Sequence, residues 1–380
     1  MRENGNNKAV TMTMIAQELG LSVSAISYVL NVSEKRGKVS DRTAQRIIET
    51  AKRMGYIPNV LAQSLRRQRT GVIGVIFGTL AHNWAEMSLL GMRSVFEPAS
   101  YLVYTSVSYW NAQIEEQEIN SFMQRRVEGI ICVPTPESRA LYEKVVRQGF
   151  PLVFLNDTLL SMKDENYITW DAYQATKIAL EHLIKQGYRR IGFIGANHKT
   201  LMTQARYRAY VDTLKQAGLP AKKEWISWEP NVERMLDQVF FKAKVRPDAL
   251  YATVDALAVP ALIHLETRGV RVPDDVALIG MGNLPGTEYP GVGLSTMCEP
   301  IEELGANAAQ VVLEIIRHPE KAPIQVTLVK NELMARRTTL KKNARISLIL
   351  GKEWPCARGA RDKMDGADRQ EPINPRKEVS

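Results

Sequence analysis

Ser22-Val23-Ser24-Ala25-Ile26-Ser27-Tyr28 is the stretch whose residue types and spacing point most directly to chemistry. Ile26 aside, these are hydroxyl and small apolar side chains, with Val23, Ser24, Ser27 and Tyr28 on the outer face of a helix near its N-terminal end. Such an end can reach base edges in a DNA major groove. Catalytic patterns are missing elsewhere. The five histidines are scattered, and no His-Glu-x-x-His or paired-carboxylate motif occurs. Cys132, Cys298 and Cys356 are far apart without metal spacing, which suggests a reducing compartment, no structural disulfides and no metal. Gly280-Met281-Gly282-Asn283-Leu284-Pro285-Gly286 fails the dinucleotide fingerprint, because Pro285 stands at the third glycine position and no helix is expected there. No P-loop is present, so no cofactor is expected.

The elements that must position Ser22–Tyr28 are legible around them. Thr11 is an N-cap, followed by Ile15, Ala16 and Leu19 on one helical face. Gly20 ends that helix in a turn. Ser22 caps the next, whose buried face is Ile26, Val29 and Leu30. Two helices joined this way are the layout of a helix-turn-helix. Ser40 caps a third helix with Ala44, Ile47, Ile48, Ala51 and Met54 at helical spacing, ended by Gly55 before Pro58. A short Pro-opened segment, Pro58–Thr70, follows; it is marginal as an isolated helix and needs a partner or DNA to form.

Charge is unevenly placed. The chain carries +9 overall, while residues 1–70 hold 12 basic and five acidic side chains, residues 71–340 hold 28 and 30, and residues 341–380 hold 10 and six. Basic charge coincides with the helix-turn-helix, where phosphate would be neutralised.

From residue 71 the pattern changes to short apolar runs: 71–77, 101–107, 129–133, 151–156, 190–195, 249–253 and 276–282. Amphipathic helical segments lie between them. Continuous apolar runs suit parallel strands buried on both faces, and the alternation argues a doubly wound α/β architecture. In such sheets ligands bind at the carboxyl ends of strands.

The order Thr11, Val23-Ser24, Val29-Leu30-Asn31, Val39-Ser40, Arg42, Gly55-Tyr56, Pro58-Asn59, Ala62 and Ser64-Leu65-Arg66 closely resembles the lactose/galactose-repressor (LacI/GalR) family of bacterial transcription regulators. Later landmarks extend the resemblance to about residue 340: Arg126–Ile131, Asp171, Gly187–Ile191, Val272–Gly280 and Arg336-Arg337-Thr338-Thr339. The resemblance implies an all-α helix-turn-helix headpiece (1–57), a hinge helix (58–70) and an effector-binding and dimerisation domain (71–340). That domain would be a periplasmic-binding-protein-like pair of Rossmann-type subdomains, with chain crossovers near 170, 299 and 328. Residues 341–380 lack periodicity and are expected to be a disordered tail.

It also implies site residues. DNA contacts are expected from Thr11, Ser22, Val23, Ser24, Ala25, Ser27, Tyr28 and Asn31, and from Asn59, Ala62 and Leu65 in the hinge. Leu65 matches the family's wedge leucine, which inserts between base pairs in the minor groove. The implied effector residues are Thr79, His82, Trp84, Arg206, Asp255 and Asn283, with Arg206 as the ligand-holding fork. The chain departs from the family at several of these places. Ala25 and Tyr28 replace the common Thr and Arg, and tyrosine cannot make arginine's bidentate pair with guanine. Gly282-Asn283 replaces an Asp-Asp pair, Val254 an asparagine, and His82-Asn83 an Asn-Pro. The turn 31–40 is about three residues longer than usual, and its Lys35, Arg36 and Lys38 are suited to phosphate contacts.

The expected function is a sequence-specific DNA-binding regulator, a repressor by the family's default. It would bind a pseudo-palindromic operator as a homodimer, under a sugar-like effector. The dimer face would include the helix carrying Met87, Leu90 and Met92. The competing readings are an effector-independent regulator and, in a different class, a cytoplasmic ligand-binding protein or an enzyme on the α/β domain. The hydrophilic N-terminus has no secretory apolar region and no run reaches transmembrane length, so a cytoplasmic location is expected.

Overall fold

The computed structural model describes residues 10–30, 39–57, 69–80, 83–159, 165–195 and 200–340. Outside them lie most of the hinge, the long turn with Lys35, Arg36 and Lys38, and the C-terminal tail with Cys356.

The headpiece is three helices: α1 (Met12–Leu19), α2 (Val23–Leu30) and α3 (Asp41–Met54). Each start and stop has a local cause. The Thr11 side chain accepts from the Met14 N–H, and that of Ser40 from the Thr43 N–H. Gly20 and Gly55 end α1 and α3 at φ 65° and 69°, a left-handed conformation that favours residues without a Cβ. Between α1 and α2 the chain bends by 115°, within the range of helix-turn-helix units. Ile15, Ala16, Ile26, Ile47 and Ala51 form the shared core. Ile48, expected on the buried face of α3, is instead 46 % exposed, while Thr50 is buried. The stripe through 47, 51 and 54 steps by three and four residues; residue 48 lies about 100° round the helix from residue 47.

Two compact units follow in the Cα packing. The first comprises residues to Leu80, Ser88–Ile168 and Glu302–Gln325; the second comprises Ala81–Met87, Thr169–Ile301 and residues from Val326 onward. One six-stranded sheet runs β11-β5-β4-β3-β1-β2, formed by β1 (Val72–Phe77), β2 (Leu102–Val107), β3 (Gly129–Cys132), β4 (Leu152–Leu155), β5 (Asn166–Trp170) and β11 (Gln325–Leu328). β2 to β1, β1 to β3, β3 to β4 and β4 to β5 are all parallel pairs. β1, β3 and β4 are buried along their whole length, as continuous apolar runs require. β2 is an edge strand, and Leu102 and Tyr104 on it are exposed.

Helices α4 (Trp84–Phe96), α5 (Ala112–Gln124) and α6 (Arg139–Arg147) connect these strands, and α11 (Ile301–Arg317) returns to the first unit. α4 and α11 approach through glycine. A Cβ on Gly305 would lie 2.9 Å from the Ser88 carbonyl carbon, and one on Gly91 would lie 2.8 Å from that of Glu302. On α4, Met92 is fully buried and Leu90 is 51 % exposed.

The second sheet runs β12-β10-β9-β8-β6-β7. Its strands are β6 (Ile191–Ile194), β7 (Ile226–Ser227), β8 (Ala249–Ala252), β9 (Ala277–Gly282), β10 (Ser295–Cys298) and β12 (Glu332–Met334). Only β12 among the pairs is antiparallel, in register Met297↔Leu333. The helices of this unit include α7 (Ala172–Lys185), α8 (Leu201–Gln216), the short α9 (Val232–Leu236) and α10 (Asp255–Thr267). The segment Arg336–Thr339 straps the sheet. Ser295 N–H donates to Thr338 Oγ1 at 2.8 Å, and Arg337 Nη1 donates to Glu266 at 2.7 Å.

Candidate functional site

On the headpiece, the start of α2 presents Ser22, Val23 and Ser24 to solvent, while Ala25, Ser27 and Tyr28 are partly exposed. Ser22 Oγ accepts from the Ala25 N–H at 3.2 Å, so it caps the helix as well as facing outward. Thr11 is exposed and occupied as the α1 cap. Elsewhere in the headpiece, Arg42 and Arg46 on α3 are exposed. Asn31, Asn59, Ala62 and Leu65 lie outside the described residues.

The effector candidates of the second unit come from the carboxyl ends of its parallel strands. Arg206 stands on α8, which follows β6; Asp255 follows β8, Asn283 follows β9, and Glu299 follows β10. This is the position where doubly wound sheets bind ligands. Trp84, at the start of α4, packs with this unit. Thr79 follows β1 in the first unit and is half-buried; His82 lies outside the described residues.

Burial divides these residues by task. Arg206 is 5 % exposed, with its Nε donating to Met281 Sδ at 3.2 Å. Asp255 is 1 % exposed and both its oxygens are engaged: Thr296 Oγ1 donates at 2.7 Å and the Leu284 N–H at 3.0 Å. Burial pushes its carboxyl up to about 6, against the pull of those donors and of Arg336. Asp255 therefore ties Leu284, just after β9, and Thr296 of β10 to the start of α10. Asn283 sits at φ 50° and accepts from Arg336 Nη2 at 2.6 Å, so its amide oxygen is held by a neighbouring guanidinium. Arg336 also donates to the Leu294 carbonyl at 2.7 Å.

Two groups in this wall carry no signal that sequence spacing could have isolated. Glu299, 6 % exposed, accepts from Trp84 Nε1 at 2.9 Å. Its carboxyl is raised, by burial first, with Arg206 and Trp84 pulling the other way. The second is a cluster of rings on Phe193, Tyr207, Tyr210, Trp228 and Tyr251, with centroids 5.0–5.7 Å from that of Phe193. In the first unit, Trp110 is 41 % exposed at the end of β2, with φ 56°. Among the described residues no cluster of His, Cys, Asp and Glu could hold a metal.

A basic three-helix reading head, carried on the same chain as two mostly parallel sheets with polar side chains gathered at strand ends, defines a class: DNA-binding regulators built on a ligand-binding fold. The comparisons agree. Residues 11–59 match the bacterial regulatory proteins of the lacI family, and residues 180–339 match the periplasmic binding protein-like domain. The chain is 25 % identical over 316 residues to the "Probable HTH-type transcriptional regulator EndR" of Paenibacillus polymyxa, covering 82 % of this chain and 92 % of that one. It is 26 % identical over 322 residues to the ribose operon repressor of Haemophilus influenzae, covering 82 % and 93 %. The solved lac repressor dimer bound to operator and the anti-inducer ONPF shares the fold, with a TM-score of 0.74 at 20 % identity over 88 % of this chain and all of that one. The chain belongs to the LacI/GalR family of bacterial transcription regulators and is a DNA-binding transcriptional regulator.

Proposed function

We propose that this protein is a cytoplasmic, non-enzymatic repressor that binds a pseudo-palindromic operator as a homodimer. Thr11 and Ser22–Tyr28 meet the major groove, while Asn31 and the hinge residues Asn59, Ala62 and Leu65 complete the contact. Leu65 wedges the minor groove at the operator centre, where unstacking is offset by a bent, better-contacted duplex. A hydroxyl-bearing, sugar-like effector binds at the strand ends of the second unit, with Arg206 as donor, Trp84 as aromatic wall, and His82, Asp255 and Asn283 around it. The carrying observation is the exposed start of α2, in a headpiece that also exposes Arg42 and Arg46, on a chain whose second sheet gathers Arg206, Asp255, Asn283 and Glu299 at its strand ends. The names of the ribose operon repressor and of the operator-bound lac repressor dimer support sugar control and a dimer. An effector acts only if it binds one state of the regulator better than the other.

A second reading, a regulator without an effector, is favoured by one observation: both oxygens of Asp255 are already engaged within the protein. The test is selection of genomic fragments by the purified full-length protein, repeated with sugars, sugar acids and nucleosides. A palindromic motif whose binding responds to a hydroxyl-rich ligand supports the first reading. A motif indifferent to every ligand supports the second. No motif, or binding that survives deletion of residues 1–70, overturns both. Leu65→Ala should abolish operator bending; unchanged bending removes the wedge assignment.

A further inference from the structure

From Ser22 to Leu30 the chain carries no Arg, Lys, Asn, Gln, Asp or Glu. This stretch therefore lacks every side chain that makes a two-point hydrogen-bond match with a single base. Its leading hydroxyls are engaged at home. Ser22 Oγ accepts from the Ala25 N–H and lies 2.9 Å from Ser24 Oγ. Between these two serines, Val23 leaves 43 % of its surface in solvent, whereas Ile26, one turn further on, is fully buried. The first residue of α2 thus offers an exposed apolar side chain. In the major groove the apolar group offered by a base edge is the C5 methyl of thymine.

We infer that Val23 is a specificity-determining residue that reads thymine, packing its methyls against a thymine C5 methyl. The inference rests on α2 being the major-groove helix. It assigns sequence preference to shape and apolar contact at this position, and leaves the basic side chains of the headpiece to phosphate, which positions without specifying.

The test changes one methyl at a time. Full-length protein selects duplexes from a random library, and the best duplex is resynthesised with deoxyuridine replacing each thymine in turn. At one symmetry-related pair of positions, binding should weaken about fourfold for each methyl removed, and roughly fifteenfold when both half-sites are changed. Val23→Ala should weaken binding to the thymine duplex by a similar factor and then be insensitive to deoxyuridine at that pair, the signature of a direct contact. The substitution is on the surface, and the deoxyuridine series leaves the protein untouched. If every deoxyuridine duplex binds within twofold of the thymine duplex, or Val23→Ala keeps the wild-type sensitivity, Val23 is an ordinary exposed valine and the inference is wrong. A library that yields no enriched sequence overturns the major-groove reading itself, an outcome distinct from an enriched sequence indifferent to the methyl.

Discussion

Asp255 makes stability depend on pH in a direction opposite to most carboxylates. Its carboxyl is raised from 3.8 to about 6 because burial disfavours the charged form more than its hydrogen bonds favour it. The folded protein therefore holds this proton more tightly than the unfolded chain. Below pH 3.8 both states are neutral at this site. As pH rises through the interval the unfolded chain ionises first, folding stability falls, and above about pH 6 the deficit levels off at about 3 kcal/mol. Asp255→Asn imitates the neutral acid: its amide oxygen can accept from the Leu284 N–H while its NH2 donates to Thr296 Oγ1, a hydroxyl able to reverse its role. The variant should therefore be more stable than the wild type by about 1 kcal/mol at pH 4.5 and about 3 kcal/mol at pH 7.5. Urea unfolding of both proteins followed by tryptophan fluorescence reads the gap. A gap that stays constant across this range, or that shrinks as pH rises, refutes the reasoning and makes Asp255 an ordinary ionised carboxylate.

Gly305→Ala gains about 1 kcal/mol of helix propensity, but its Cβ would lie 2.9 Å from the Ser88 carbonyl carbon and 3.1 Å from its Cα, backbone atoms with little freedom to yield. Overpacking costs about 1–3 kcal/mol, so the urea midpoint should fall, as it should for Gly91→Ala; a rise in either would show that α4 and α11 can part freely. Trp84→Phe removes a donor to the buried Glu299 carboxylate and should cost about 1–3 kcal/mol. Because that donor favours the charged form, the loss should be larger at pH 8 than at pH 5, and an equal loss at both would assign it to ring packing alone. Thr11→Ala deletes the α1 cap and should lower headpiece stability by about 1 kcal/mol, measured by amide exchange in α1.

The headpiece was readable because its determinants are local. Thr11, Gly20, Ser40 and Gly55 act within one helical turn of themselves, and the apolar residues that each helix turns to the shared core, such as Ile15 and Ala16 on α1 or Ile47 and Ala51 on α3, recur at helical spacing within that helix. The same holds for β1, β3, β4, β6, β8 and β9, whose apolar runs declare burial on both faces. β10 gave no such signal. Its Ser295 and Thr296 are fully buried, their polarity satisfied by Arg336 and Asp255, which lie about 40 residues away in the chain.

Residue types and short-range spacing thus determined the class of the protein, the helices of its reading head and the alternation of strand and helix, because capping and periodic burial are written into neighbouring residues. Tertiary structure alone decided that Asp255 is a sealed brace, that Glu299 answers Trp84 from the far end of the chain, and that Met92 belongs to the core. Those outcomes depend on which strand ends and helices meet, and burial and electrostatic partners are properties of the meeting place rather than of any one segment.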